Sequence, residues 1–335
     1  MKSGLKTSRV KSRLGSHRAR SLPVWWDAVL TVDWEGKADT TALPFLRSVL
    51  ILSVAAKMPT EDLQVARGAA SPAIGAIIQT VSEAIAAAST GAITDAAAWN
   101  AVRADAEEAA GGTLPNASPL WPNGVNPSAE QWAAIKWQVA NSEGAADWQF
   151  WIDWYDALLA GRTMLSDPAR TWEMLERVAL IDPETWDKGP EVANPLIREI
   201  WELYRLRVEV AQLQAEKAAL LGGRGSEAQR GHNHPPKGLV DEQPEIAQQI
   251  TIVWDGLDEA QGELEKEEPD KGRLLRIGKG LLAALMKIGA YCGKVGDRVI
   301  MSAATASGPF ILDHFANDGR LFQFAKDLIG FASGG

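Results

Sequence analysis

Apolar positions recur along this chain at helical spacing, and no segment alternates apolar and polar residues for long enough to predict a strand. Leu46, Leu50 and Val54 share one helical face, with Pro44 at a first-turn position that tolerates proline. Alanine content, capping residues and glycine stops predict further helices over residues 72–89, 94–110, 145–161, 168–178 and 190–221, and one that begins at Ser128. The pattern therefore predicts an all-α fold.

Tryptophan is concentrated in the middle of the chain, where eight of the fourteen tryptophans fall within residues 132–201. In the predicted helix 145–161, one face carries aromatic side chains at i, i+3 and i+7: Trp148, Trp151 and Tyr155. Because tryptophan is costly to leave in water, this face predicts the core of a Trp-rich multi-helix domain. Trp154 points away from the face and is the candidate for an exposed aromatic binding residue.

The predicted helix 190–221 carries an apolar seam that Arg207, Gln214 and Lys217 interrupt, so it forms either a coiled coil or a helix packed on its own domain. Residues 222–240 are rich in Gly, Ser, Gln and His and contain a Pro-Pro pair, a composition typical of a linker. We therefore predict four segments: a basic disordered arm (1–22), a Trp-rich helical domain (23–221), the linker (222–240) and a C-terminal helical module (241–335).

Two predicted helices of opposite charge flank a Pro-Asp-Lys-Gly turn beyond the linker. The first, residues 244–266, has an apolar stripe within a segment that holds ten acids between Asp241 and Glu268. The second, residues 271–302, is amphipathic, and its cations fall within an arc of about 120°. These cations are Arg273, Arg276, Lys279, Lys287, Lys294 and Arg298.

This basic arc has two interpretations. The two helices could pair as a hairpin that joins their apolar stripes and exchanges charges across its flanks, or the arc could contact an anionic membrane surface, a nucleic acid or another partner. We expect the hairpin, because runs of charge are usually solvated faces. Phe and Leu residues within 310–331 are then expected to complete a small bundle, with an interfacial membrane anchor as the alternative.

Composition narrows the class of protein. The chain has 335 residues and carries a net charge of -9. Its hydrophobic fraction of 46% is enough to form a folded core. Its one cysteine, Cys292, cannot form an internal disulfide. Residues 1–22 lack the apolar segment of a secretory signal, and no apolar run reaches the roughly 18 residues that span a bilayer. We expect a cytoplasmic protein, with peripheral membrane association as the alternative.

Two pairs of acids are the candidate catalytic residues. Asp153 and Asp156 on one predicted helix, and Glu173 and Glu176 on the next, are each spaced i, i+3. Paired carboxylates beside aromatic side chains suit glycoside hydrolysis or sugar binding, because one carboxyl donates a proton while the other attacks or activates water. Solvent-facing acids on amphipathic helices show the same spacing, and that interpretation is favoured.

His232 and His234 in the linker are candidate metal ligands, although a flexible segment with no third ligand nearby is a poor site. The sequence contains no P-loop, Rossmann fingerprint, Gly-x-Ser-x-Gly or His-Glu-x-x-His motif. We therefore predict no cofactor, and a non-enzymatic protein is favoured over an enzyme.

The segment 230–236, which reads Arg-Gly-His-Asn-His-Pro-Pro, resembles the Gly-His-Asn-x-Pro-Pro linker of uncharacterised, chiefly alphaproteobacterial, Trp-rich helical proteins. The aromatic run 148–155 and the Trp-Asp-Lys-Gly-Pro at 186–190 are also similar to that group, so the likeness covers roughly residues 95–236. That group has no assigned activity, and the resemblance implies only a bacterial, cytoplasmic protein.

Three functions follow as hypotheses. The favoured one is an interaction or scaffold protein whose C-terminal module engages a protein or an anionic surface, self-association included. The second is a peripheral membrane-binding effector that uses the basic amphipathic helix. The third is a carboxylate-dependent hydrolase or carbohydrate-binding protein in the Trp-rich domain. Nucleic acid is not an expected partner.

Overall fold

The computed structural model describes residues 60–66, 68, 129–141, 144–227, 244–295 and 319–334, together with six positions between residues 43 and 54. Every regular element within these residues is an α-helix, which confirms the all-α prediction. Eight of the helices have the following bounds: α1 (Ala129–Ala140), α2 (Ala145–Ala160), α3 (Pro168–Ala179), α4 (Pro183–Asp187), α5 (Pro190–Glu227), α6 (Pro244–Leu264), α7 (Lys271–Val295) and α8 (Arg320–Ser333). The basic arm, the predicted helices 72–89 and 94–110 and most of the predicted linker lie outside the described residues.

The chain divides into two compact units, Met1–Trp201 (unit 1) and Glu202–Gly335 (unit 2). The predicted boundary at residues 222–240 therefore lies about twenty residues too far along the chain. The physical reason is the apolar seam of α5, because Leu203, Leu206 and Leu213 lie in the core of unit 2. Helix α5 also continues to Glu227, through the glycine pair at 222–223 that predicts a stop.

Unit 1 has an aromatic core centred on α2. Its buried residues are Phe150, Trp151, Ile152, Trp154, Tyr155 and Ala157, which cover an arc of about 220° at 100° per residue. Trp151 meets Phe150 and Trp154 edge to face, with ring centroids 5.0 and 5.7 Å apart. Trp154 is 3% exposed, so the expectation that it lies at the surface is wrong. A helix covered on so wide an arc buries more than one aromatic stripe.

The helix ends of unit 1 follow local signals in the sequence. Gly161 ends α2 with φ 62°, a left-handed conformation that glycine adopts without steric cost. Asp167 and Asp182 cap α3 and α4 by accepting hydrogen bonds from backbone N–H groups of the first turn. Pro168 and Pro183 follow these caps at the first helical position, where a missing N–H costs nothing.

Unit 2 packs the part of α5 between Leu203 and Leu213 with α6, α7 and α8 around one core. Buried side chains from all four helices contribute to it, among them Val210, Leu257, Leu281, Leu285, Phe324 and Leu328. The predicted hairpin and small bundle are therefore confirmed, since α6 pairs with α7 and α7 pairs with α8.

Two glycines set the close contacts between these helices. A Cβ atom on Gly256 would lie 2.7 Å from Leu281 Cδ2, and one on Gly278 would lie 2.8 Å from Ile329 Cγ1. Real side chains do not approach so closely, so α6 meets α7, and α7 meets α8, at positions where only a hydrogen atom fits.

Candidate functional site

The four candidate catalytic acids lie in unit 1, and each has its own local partner. Asp156 accepts a hydrogen bond from Trp132 Nε1 at 2.7 Å and forms an ion pair with Lys136 Nζ at 3.3 Å. It therefore fastens α1 to α2. Asp153 accepts a hydrogen bond from the Gln149 amide at 2.8 Å, one turn earlier on the same helix.

The two glutamates of α3 also have nearby partners. Glu173 pairs with Arg170 at 3.0 Å, and Glu176 accepts a hydrogen bond from the Thr60 hydroxyl at 3.4 Å. No group of three or more metal-ligating side chains is found among the described residues. The candidate ligands His232 and His234 lie outside them.

Among the described tryptophans of unit 1, Trp137 on α1 is the most exposed, with 69% of its surface in solvent. The helical pattern predicts that role for Trp154 instead, which is buried. The signal for Trp137 was present in the sequence, because it lies five residues after the buried Trp132 and thus about 140° around the same helix.

The basic arc lies on α7, the middle helix of unit 2. Arg273, Arg276, Lys279 and Lys287 are exposed, as predicted for a solvated basic arc. The side chain of Lys294 and all of Arg298 fall outside the described residues. The opposite side of α7 is buried in the core through Leu274, Ile277, Leu281, Leu285 and Ile288.

The cations of this arc differ in their partners. Arg273 Nε lies 3.4 Å from Glu263 Oε2, and its Nη2 lies 3.8 Å from Glu259 Oε2. Within the part of the chain that the structure describes, Arg276, Lys279 and Lys287 form no ion pair. We call these three residues the α7 cation face. Gly280, Ala283 and the 57%-exposed Met286 lie between them on the same outward side.

Glu263 forms an ion pair with Arg273 and holds the turn that precedes α7 in place. Its buried carboxylate accepts hydrogen bonds from Lys266 Nζ at 2.7 Å and from the Asp270 N–H at 2.9 Å. These two bonds, in that order, hold the pKa of Glu263 below its usual value against the effect of burial, and the charge of Arg273 acts in the same direction. Asp270 in turn accepts a hydrogen bond from the Arg273 N–H at 3.0 Å, near the start of α7.

The three polar residues that interrupt the seam of α5 all bind α6. Arg207 is buried and donates from Nε to the Leu264 carbonyl at 2.7 Å and from Nη2 to the Lys266 carbonyl at 2.8 Å. Gln214 and Lys217 both reach Asp258, at 2.6 and 2.7 Å. Of the two predicted alternatives, α5 is therefore the helix that packs within its own unit.

Polar contacts also join α5 to α8 on the other side of unit 2. Arg205 pairs with Asp327 at 2.8 Å, and Arg320 contacts Glu216 and the Gln212 side chain. From the first pair to the second, residue numbers rise along α5 and fall along α8, so the pairs fit an antiparallel orientation of the two helices. With α6 and α8 at its sides, α7 keeps a single outward surface.

Comparison with protein-family models, curated proteins and solved structures finds no match to this chain. Within the described residues, no helix has the length and apolar content that crossing a membrane requires. The case for function therefore rests on the chemistry of the residues described above.

Proposed function

We propose that this chain is a non-enzymatic interaction protein whose unit 2 binds an acidic polypeptide through the α7 cation face. One observation carries the proposal: three exposed cations share one outward side of a helix and have no ion-pair partner among the described residues. Such a surface attracts an acidic partner over about a Debye length and discriminates against basic ones.

An acidic polypeptide is favoured over a lipid surface because of what lies on the other side of α7. A membrane-surface helix needs a free apolar face to insert at the headgroup boundary. The apolar face of α7 contributes Leu274, Leu281 and Leu285 to the core of unit 2. Of the larger apolar side chains described on the outward side of α7, Met286 is the most exposed. The remaining attraction is electrostatic, and it suits a carboxylate-rich partner.

The candidate acids of unit 1 support a scaffold role rather than hydrolysis. Asp156 holds α1 to α2, and Glu173 and Asp153 have partners on their own helices. A general acid and its companion carboxylate would instead face a shared substrate position.

The test measures binding of the full chain to fluorescent poly-L-glutamate by anisotropy at several salt concentrations. Lys279→Gln with Lys287→Gln removes two cations of the face, and we expect at least about tenfold weaker binding and a shallower salt dependence. The matched control is Lys188→Gln with Lys326→Gln, which removes two exposed lysines elsewhere and should bind as the wild type does.

Anionic phosphatidylglycerol vesicles provide the competing probe. Co-sedimentation with vesicles that is lost in the Lys279/Lys287 variant, without binding to poly-L-glutamate, would overturn the acidic-polypeptide proposal in favour of a lipid surface. Equal loss in both lysine variants would show that net charge alone determines binding.

A further inference from the structure

The outer surface of the α6–α7 hairpin carries opposite charges on its two helices. Asp255 and Glu259 are exposed on α6, where Glu259 Oε2 lies 3.8 Å from Arg273 Nη2, while the α7 cation face lies alongside on α7. Asp258, also exposed on α6, is already held by Gln214 and Lys217 of α5. The hairpin therefore presents an acidic row and a basic row next to each other.

The two rows lie at matching heights. Gly256 of α6 is level with Leu281 of α7, and Glu263 is level with Arg273, so the helices run antiparallel. This register puts Asp255 and Glu259 at the height of residues 278–282, between the ends of the α7 cation face. An acidic row and a basic row of equal height on adjacent helices form a surface that is complementary to its own copy.

We infer that the partner of the α7 cation face is a second copy of this chain, docked through the same hairpin surface. Two hairpins can stack face to face with two-fold symmetry in two ways. One places α6 over the partner's α6, so that acids face acids. The other places α6 over the partner's α7, so that the acidic row of each copy meets the basic row of the other. Charge complementarity selects the second arrangement.

The middle of this surface permits close approach of two backbones. Gly280 and Ala283 are exposed between the cations, and a Cβ atom on Gly280 or on Gly262 of α6 would meet nothing within 4 Å. Ile252 and Met286, 40% and 57% exposed, add apolar area on either helix. Small residues flanked by apolar and paired charged side chains are typical of helix faces that dock on other helices.

This inference rests on the proposed function and specifies its partner. The experiment uses charge reversal in the full chain, with mass measured by sedimentation equilibrium over a range of concentrations. The wild type is expected to reach twice its 36.1 kDa chain mass. Lys279→Glu with Lys287→Glu, and separately Asp255→Lys with Glu259→Lys, should each weaken self-association at least about tenfold.

Mixing the two reversed variants supplies the decisive measurement. In a mixed dimer both contacts again join unlike charges, so association should return to within about threefold of the wild type. Recovery on mixing also shows that both variants are folded. Lys188→Glu with Lys326→Glu is the matched control and should associate as the wild type does.

The outcomes separate this inference from the proposed function. A wild type that stays monomeric, or reversed variants that associate normally or fail to recover on mixing, overturns the second-copy inference. If poly-L-glutamate binding still depends on Lys279 and Lys287 in that case, the proposed function stands with a different acidic partner. Absence of both self-association and poly-L-glutamate binding overturns both.

Discussion

Arg207 shows how a single residue can specify the packing of a helix. In the sequence, Arg207 interrupts the apolar seam of α5. In the structure, its buried guanidinium donates to the carbonyls of Leu264, the last residue of α6, and of Lys266 just beyond it. The last carbonyls of a helix have no partner within it. The planar fork of arginine satisfies the one at Leu264 together with the Lys266 carbonyl just beyond the helix, and its charge also suits the negative end of the helix dipole.

Replacing Arg207 with Met is expected to destabilise unit 2 by about 2–4 kcal/mol, because two hydrogen bonds to buried or part-buried carbonyls are lost while the aliphatic volume is kept. The stability of Arg207→Lys should lie between those of the wild type and Arg207→Met, since an ammonium cannot reproduce the planar fork of arginine. Arg205→Met is the control two residues away, where an exposed pair with Asp327 contributes less than about 1 kcal/mol. Chemical denaturation followed by circular dichroism measures all three, and an equal loss at both positions would contradict the capping role.

Glu263 makes the stability of unit 2 depend on pH. Its pKa is lowered in the folded state, so its contribution is complete above the unfolded-state pKa of about 4.3 and is lost as the pH falls through the lower folded-state value. Glu263→Gln is therefore expected to be less stable than the wild type at neutral pH, with a difference that shrinks on acidification. Glu268→Gln, at an exposed acid of the same turn, is the control and should change the free energy of unfolding at neutral pH by less than about 0.5 kcal/mol. Denaturation midpoints measured from pH 7 to pH 3 show whether the stability difference between Glu263→Gln and the wild type narrows, as expected, or stays constant.

Single residues were the hardest scale to predict. The aromatic face of α2 follows from its i, i+3, i+7 spacing, and Trp151 and Tyr155 are buried as expected. Trp154 was assigned to the surface because a helical stripe describes one covered side only. The sequence does not state that α2 is covered over a wide arc, since that depends on tertiary packing from several other helices.

At the scale of the helix, local chemistry predicts beginnings and ends well. The stop at Gly161 and the start at Pro168 were both predicted, because caps and left-handed glycines act within one turn. The glycine pair at 222–223 predicted an end that α5 does not have. Glycine only lowers helix propensity by about 1 kcal/mol, and neighbouring residues can override it.

Hydrophobic periodicity does not show which residues of two helices touch. Gly278, where α7 meets α8, allows one such contact to be tested. Gly278→Ala gains helix propensity, but the new methyl group meets Ile329 Cγ1 at 2.8 Å and the Ala325 carbonyl at 3.3 Å. We expect net destabilisation of about 1–3 kcal/mol, because overpacking outweighs the propensity gain of about 1 kcal/mol. Gly330→Ala on α8 is the control, since nothing lies within 4 Å of its added Cβ, and it should stabilise by roughly 0.5–1 kcal/mol. Thermal unfolding measures both variants. A rise in the melting temperature of Gly278→Ala like that of Gly330→Ala would contradict the close contact.

At the scale of the whole molecule, composition predicts a boundary at a place where the two units do not divide. Residues 222–240 are polar and glycine-rich, so a boundary there is the natural inference from sequence. The boundary lies at Trp201/Glu202 because the second part of α5 gives its apolar seam to unit 2. Amphipathic periodicity identifies an apolar face without naming the helices that cover it. The basic arc illustrates the same point. Charge exchange with the acidic helix is the expectation for the arc as a whole, whereas among its described cations Arg273 is the one that pairs with glutamates of α6.

The position of this boundary predicts how the chain can be divided. A fragment of residues 202–335 retains Leu203, Leu206 and Leu213 and is expected to unfold in one cooperative transition. A fragment of residues 222–335 lacks that seam, together with the Arg207 cap and the Lys217–Asp258 pair. It leaves one side of the α6–α8 core in water, so we expect a broad transition and binding of a hydrophobic dye. Equally sharp melting of both fragments would place the boundary in the linker after all, because residues 202–221 would then contribute nothing to the core they contact.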